Sequence, residues 1–214
     1  SLESENGADH CVIDCNWSGW GFNFHSGEDR SSVVRGFTII NGSGFKGGGI
    51  VCMGSSPQII DCVLTRNVSQ SRGAGIYCDN GSAPEITRCD LSDNRVSSIC
   101  GRGGGLHAFN NCNPVMTDCT ISNNTLAGNG SNGGGVSCVS NSTVTLVNCR
   151  ITGNSVIGPG GGVFCMDSTL HASGCNISDN LAIHDIQEDG GGGIWGENCE
   201  LILTQCNISG NRAE

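Results

Sequence analysis

The segment GGGVSCVSNSTVTLVNCRITGN, residues 133–154, decides the fold of this chain. It begins with a glycine triplet followed by Val136, and it ends with the motif C-x-[IL]-x-x-N, which runs from Cys149 to Asn154. Three short stretches within it alternate apolar residues with others. A period of two is typical of a β-strand, in which alternate side chains face the same side. The segment therefore predicts three short strands joined by turns.

Both signatures recur along the chain. The triplets, one of which reads Gly-Ala-Gly, begin at Gly47, Gly73, Gly103, Gly133, Gly160 and Gly191, at spacings of 26, 30, 30, 27 and 31 residues. The C-x-[IL]-x-x-N motifs begin at Cys62, Cys89, Cys119, Cys149, Cys175 and Cys206. Repeats of this size stack to share one core. The pattern predicts an all-β, right-handed parallel β-helix solenoid of about seven coils, with three short strands in each coil.

The repeat divides the chain into two parts of one domain. Residues 47–214 form six regular coils, and residues 1–46 form one or more less regular opening coils. Within the opening part, residues 12–15, 19–25 and 37–41 are predicted strands. Because the pattern starts and stops in mid-repeat, we expect the chain to be a segment of a longer protein.

The asparagine that closes each motif invites two interpretations. Asparagine favours turns, so these residues could simply face solvent. Alternatively, they stack inside the bend, where each amide bonds the backbone and the next asparagine, because buried polar groups need partners. The unvarying position favours this ladder. Its predicted members are Asn67, Asn94, Asn124, Asn154, Asn180 and Asn211.

The fifteen cysteines favour an oxidising, extracellular compartment. Each regular coil contains a motif cysteine and an earlier one, so pairing within coils is one hypothesis. The other is that cysteine serves as a small core residue, since spacing cannot fix connectivity. The candidate disulfides are Cys11–Cys15, Cys52–Cys62, Cys78–Cys89, Cys112–Cys119, Cys138–Cys149, Cys165–Cys175 and Cys199–Cys206, with Cys100 left over.

The charge of the chain excludes several partners. The net charge is −10, and the ten Lys and Arg residues form no cluster in the sequence. Nucleic acid would require a basic stripe and an anionic membrane a polybasic segment, so neither partner is expected. A strongly acidic polysaccharide is also an awkward partner. No apolar run reaches the length of about 18 residues that membrane insertion requires.

The sequence offers no catalytic residue, metal site or cofactor. No carboxylate pair of the kind that glycoside hydrolysis uses is evident. Ligand binding has two candidate sets: the outward residues Tyr77, Phe164 and Trp195 of three first strands, and His184, Asp185, Glu188 and Asp189 of the longest loop. Candidate glycosylation sites are Asn16, Asn41, Asn80, Asn123, Asn129, Asn141, Asn176 and Asn207.

The stretches GGGIVC, GGGVSC and GGGVFC, with the six cysteine motifs, resemble the repeats of secreted, pectate-lyase-like parallel β-helix proteins. The repeats are also similar to those of chlamydial polymorphic outer membrane proteins, although cysteine replaces phenylalanine here. The resemblance implies export, surface display and often adhesion. We therefore expect an adhesive or structural surface protein, whose partners are surface glycans, surface proteins or other copies of itself stacked end to end into filaments. The alternative is a protein that binds or cleaves carbohydrate on an outer sheet or outside this segment.

Overall fold

The computed structural model describes residues 1–183 and 190–214, which form thirty short strands and no helix. Accordingly, no helix in the described part of the chain has the length and hydropathy to cross a membrane. In chain order the strands are β1 (Leu2–Glu3), β2 (Val12–Asp14), β3 (Phe22–Phe24), β4 (Val33–Arg35), β5 (Thr38–Ile40), β6 (Ser43–Lys46), β7 (Ile50–Met53), β8 (Gln58–Ile60), β9 (Val63–Thr65), β10 (Val68–Arg72), β11 (Ile76–Asp79), β12 (Glu85–Thr87), β13 (Asp90–Ser92), β14 (Arg95–Val96), β15 (Leu106–Phe109), β16 (Val115–Thr117), β17 (Thr120–Ser122), β18 (Thr125–Leu126), β19 (Val136–Val139), β20 (Thr143–Val147), β21 (Arg150–Thr152), β22 (Ser155–Ile157), β23 (Val163–Met166), β24 (Thr169–Ser173), β25 (Asn176–Ser178), β26 (Leu181–Ile183), β27 (Ile194–Glu197), β28 (Glu200–Thr204), β29 (Asn207–Ser209) and β30 (Arg212–Ala213).

The strands form four sheets, and every pairing between named strands is parallel. Sheet 1, whose regular-coil strands follow the glycine triplets, has the order β3-β7-β11-β15-β19-β23-β27. Sheet 2 is β1-β4-β8-β12-β16-β20-β24-β28, sheet 3 is β2-β5-β9-β13-β17-β21-β25-β29, and sheet 4 is β6-β10-β14-β18-β22-β26-β30. Each strand pairs with its equivalent one coil away, which is the topology of a solenoid. The predicted parallel β-helix of about seven coils is therefore confirmed.

Sheets 1 to 3 correspond to the three predicted strands of each coil, and sheet 4 is an addition. Its strands follow the ladder asparagine and are as short as two residues, as in Arg95–Val96 and Thr125–Leu126. A strand with one inward residue shows no alternation, so the sequence pattern gives no sign of it. The inward residues of sheet 4 join a small core that is separate from the main one.

The main core fills the bore with columns of side chains, one from each coil. The middle residues of sheet 3 illustrate the packing, because they lie in register and are fully buried from Ile39 to Ile177. A coil buries little on its own, so stability comes from contacts between coils. Five residues, Ala74, Val96, Leu126, Val156 and Ala182, form the separate small core.

The motif asparagines lie inside the bend in a hydrogen-bonded column. Asn124 is typical: its Nδ2 donates to the Leu91 carbonyl at 2.9 Å and to Asn154 Oδ1 at 2.9 Å. Its Oδ1 accepts from the Asn94 backbone N–H at 3.0 Å. The contacts repeat from Asn67 to Asn211. The side chains of the first five members are fully buried, so these asparagines do not face solvent.

The structure contradicts the proposed disulfides, because all fifteen cysteines are free. The absent bonds are Cys11–Cys15, Cys52–Cys62, Cys78–Cys89, Cys112–Cys119, Cys138–Cys149, Cys165–Cys175 and Cys199–Cys206. In the regular coils, the two cysteines belong to different columns. Each motif thiol lies along its own column; Cys119 Sγ, for example, is 3.3 Å from the Thr117 carbonyl and 3.4 Å from the Cys89 backbone nitrogen. The structure supports the alternative that these cysteines are core residues.

Candidate functional site

The outward side of sheet 1 carries one residue per coil between two inward residues. The members of this outer column are Asn23, Val51, Tyr77, His107, Ser137, Phe164 and Trp195. The segment before each strand packs over this column. A Cβ on Gly103 would lie 2.8 Å from His107 Cβ, and Gly103 has a φ of +63°. Only glycine fits both the backbone conformation and the close approach. The column is therefore covered from Val51 to Phe164 although it faces outward, whereas Asn23 is exposed.

This cover corrects the expectation of an outward aromatic row. Tyr77 is 0% exposed and Phe164 is 2% exposed, while Trp195 is half-buried. Phe164 stacks on Trp195 with ring centroids 4.7 Å apart, whereas Tyr77 stacks on His107 at 5.8 Å. The three aromatics share a column but form two separate stacks. The other candidate set, His184, Asp185, Glu188 and Asp189, lies outside the described residues.

A groove of about 220 Å³ lies at the start of the outer column. Its lining residues are Trp20, Asn23, Phe45, Lys46, Val51, Met53 and Tyr77. Trp20, Phe45 and Met53 form its exposed rim, at 41%, 67% and 41% exposure. Trp20 Nε1 donates to the Lys46 carbonyl at 2.9 Å, which fixes the indole over the groove. We call this site the aromatic groove. Clustered exposed apolar side chains of this kind often mark a binding site.

A polar network forms the floor of the aromatic groove. Tyr77 Oη donates to Asp79 Oδ2 at 2.7 Å, and Lys46 Nζ lies 3.7 Å from the same oxygen. Lys46 Nζ is also 5.4 Å from the Tyr77 ring centroid, a cation–π contact. Burial, followed by the hydrogen bond to Asp79, raises the pKa of Tyr77 well above its ordinary value. Tyr77 therefore stays neutral and serves as a fixed donor rather than as a base.

Three cations align beside the outer column, although the sequence shows no basic cluster. Lys46, Arg72 and Arg102 occupy equivalent places in consecutive coils, each immediately before a glycine triplet. We call them the cationic strip. Arg72 Cζ lies 5.3 Å from the Phe109 ring centroid. The signal that could have revealed the strip is a shared position in the repeat, which a search for clusters along the sequence does not detect.

The sequons differ in accessibility. Asn16, Asn80, Asn123, Asn129, Asn141 and Asn207 are exposed, whereas Asn41 and Asn176 are half-buried. Their glycosylation stays a prediction. Within residues 1–183 and 190–214, no three His, Cys, Asp or Glu side chains are grouped to hold a metal ion.

Comparison with known proteins agrees with the architecture. The family model described as "right handed beta helix region" matches residues 61–184, more than half of the chain. No curated protein and no solved structure matches the chain. Both the stacked parallel sheets and the family match therefore show that this chain belongs to the right-handed β-helix family.

Proposed function

We propose that this chain is an extracellular adhesive surface protein, in which the β-helix is a rigid scaffold and the aromatic groove contacts a carbohydrate. The observation that carries the proposal is the grouping of Trp20, Phe45 and Met53 as exposed side chains around one groove. The resemblance of the repeats to secreted and surface-displayed β-helix proteins supports the extracellular setting. The free cysteines remove the disulfide argument for that setting, whereas the exposed sequons are compatible with it.

The chemistry of the groove suits a sugar better than a purely apolar ligand. Sugar rings have apolar C–H faces that stack on aromatic rings and hydroxyl groups at their edges. Trp20 and Phe45 supply the aromatic surface, and Asn23 and Lys46 supply polar groups beside it. A pocket with mostly apolar walls and a few placed polar groups is typical of ligand sites. The bond from Trp20 Nε1 to the Lys46 carbonyl reduces the ordering that binding would require.

The groove supports binding rather than cleavage. Glycoside hydrolysis uses two carboxyl groups flanking the bond, and none of the seven lining residues is a carboxylate. Asp79, in the network that forms the floor, already accepts a hydrogen bond from Tyr77 and pairs with Lys46. Tyr77 is held neutral and cannot accept a proton in its place.

A glycan array probed with the purified chain, followed by calorimetry on the best binder, tests this proposal. We expect Phe45→Ala and Trp20→Ala to weaken binding at least tenfold. Trp17→Ala is the matched control, because Trp17 is 56% exposed but does not line the groove. Equal affinity in all four proteins would place the ligand elsewhere, and an array without any binder would refute the carbohydrate proposal.

A further inference from the structure

Two buried polar side chains in the outer column lack hydrogen-bond partners. His107 on β15 and Ser137 on β19 are register neighbours, and both are 0% exposed. Nδ1 and Nε2 of His107 and Oγ of Ser137 have no partner among the described residues. Buried polar groups are nearly always hydrogen-bonded, so two adjacent exceptions indicate a place where another polar group is accommodated.

Two of the three cations beside this place lack an anionic partner among the described residues. Lys46 pairs with Asp79. Arg72 and Arg102 are neighbours on consecutive coils, and within residues 1–183 and 190–214 no ion pair or side-chain hydrogen bond involves either guanidinium. Both are half-buried. Like charges in adjacent positions repel each other, and partial burial strengthens the repulsion. An anion between the two guanidinium groups would relieve it.

The cations and the unpaired groups belong to the same neighbourhood. Burial lowers the pKa of His107 most, and the charges of Arg72, Arg102 and Lys46 lower it further. Burial also lowers the pKa of Arg102, and the charge of Arg72 adds to the effect. The segment that carries Arg102 and Gly103 packs directly over the His107 side chain. An anion would therefore reach the imidazole when this segment moves away from His107.

We propose that Arg72, Arg102, His107 and Ser137 form a binding site for a tetrahedral oxyanion, that is, a phosphate or sulfate group. Guanidinium groups bind such oxygens in pairs, through two parallel N–H donors each. The neutral imidazole supplies one N–H donor and the serine supplies one O–H donor. The site would thus satisfy the unpaired hydroxyl and one imidazole nitrogen, and it would neutralise the two unpaired charges.

Titration with inorganic phosphate and inorganic sulfate tests the site directly. The ring ¹⁵N resonances of His107 and the Nε resonance of Arg102 would be recorded by NMR at constant ionic strength, with chloride as the balancing anion. We expect saturable shifts, with at least tenfold weaker binding in Arg102→Gln and a threefold to tenfold loss in Ser137→Ala. The matched control is Arg150→Gln, because Arg150 is exposed on sheet 3, away from the site.

Shifts that rise linearly without saturation, or an equal loss in Arg150→Gln, would overturn the proposal. Ser137→Ala guards against misfolding, because it removes one oxygen atom from the site and leaves the backbone pattern unchanged. A normal amide spectrum for this variant, together with unchanged anion affinity, would also contradict the assignment.

The source of the oxyanion is distinguished with a sulfated sugar and its unsulfated parent. Equal affinity for inorganic sulfate and the sulfated sugar would identify a free ion as the ligand. Tighter binding of the sulfated sugar, lost only in part in Phe45→Ala, would identify a substituent of a glycan that also occupies the aromatic groove. That second reading rests on the proposed function, whereas the anion site itself does not. If the unsulfated sugar still binds the Arg102→Gln variant, the aromatic groove is retained even where the anion site has failed.

Discussion

The side chain of Asn124 makes four hydrogen bonds in the ladder: two from its Nδ2, to Leu91 and Asn154, and two to its Oδ1, from Asn94. Replacement by alanine leaves the Asn94 backbone N–H and the Leu91 carbonyl buried without these partners. Each orphaned group costs about 1–3 kcal/mol. We expect Asn124→Ala to lower the free energy of unfolding by about 3 kcal/mol, measured by urea denaturation.

Asn129→Ala is the control for that substitution. Asn129 is exposed, and within residues 1–183 and 190–214 only its backbone carbonyl is hydrogen-bonded. We expect a change within about 0.5 kcal/mol, as for most surface substitutions. A similar loss in both variants would show that the ladder contributes little.

Asp90 has a buried carboxylate oxygen whose loss of water is not compensated by a hydrogen bond in the described part of the chain. Its Oδ1 has no partner among the described residues, and burial raises its pKa above the ordinary value of 3.8. The folded chain therefore holds this proton more tightly than the unfolded chain, so stability is lost as the pH rises through the raised pKa. Asp90→Asn should stabilise the chain by about 1 kcal/mol at pH 7.

The advantage of Asp90→Asn should shrink as the pH falls below the ordinary value of 3.8, where wild-type Asp90 is protonated in both states. Denaturation curves of both proteins at neutral and acidic pH measure this difference. A constant difference across the pH range would contradict the assignment to ionisation.

At the scale of the strand and its preceding turn, the first glycine of each triplet is the critical position. Gly103→Ala would bring a Cβ against His107 and the Leu106 carbonyl at a φ of +63°. Gly81 also has a positive φ, +74°, but a Cβ there would meet nothing within 4 Å. Gly81→Ala therefore isolates the backbone cost, about 1–2 kcal/mol. We expect Gly103→Ala to cost about 2 kcal/mol more, because overpacking adds strain.

Thermal or urea unfolding of these two variants gives the comparison. Equal destabilisation would mean that the turn yields to a methyl group and that His107 is less tightly covered than its zero exposure implies.

The cysteine columns make a prediction about thiol chemistry. Ten of the fifteen cysteines are buried, four are half-buried, and Cys100 alone is exposed. Burial raises the pKa of Cys112 to about 12, which suppresses the reactive thiolate. A thiol reagent should modify Cys100 rapidly in the native chain and all fifteen cysteines after unfolding. If the reagent modifies only one cysteine after unfolding, the hypothesis of disulfides within the coils would be supported.

The elements differ in how far the sequence predicts them. Residues such as Ile121 and Cys119 repeat in every coil, so their strand is evident from the pattern. The strand Thr125–Leu126 is not evident, because a two-residue strand has no period. The sequence pattern also gives no sign of the aromatic groove. It joins Trp20 from the opening coil to Phe45 and Met53, and no repeat position relates these residues.

At the scale of the whole molecule, the coil formed by residues 200–214 exposes residues that continue the inward columns. Leu203 and Ile208 stack on Ala172 and Ile177, yet they are 41% and 48% exposed. The end-to-end stacking of copies stays a prediction, and it would pair these strands with the strands of another copy. Sedimentation across a concentration series should show assembly that Leu203→Asp abolishes, whereas Ile99→Asp, at an exposed site elsewhere, should leave it unchanged. A monomer at all concentrations would exclude it.

The pairing of each strand with its equivalent in the next coil has a mechanical consequence. The sheet hydrogen bonds between coils lie along the rod axis, so tension applied to the two ends would separate the coils one at a time. Each coil holds 26 to 31 residues, and each residue extends to about 3.3–3.6 Å, so one release would lengthen the chain by about 100 Å. A tether built in this way would absorb sudden loads in discrete steps before it parted.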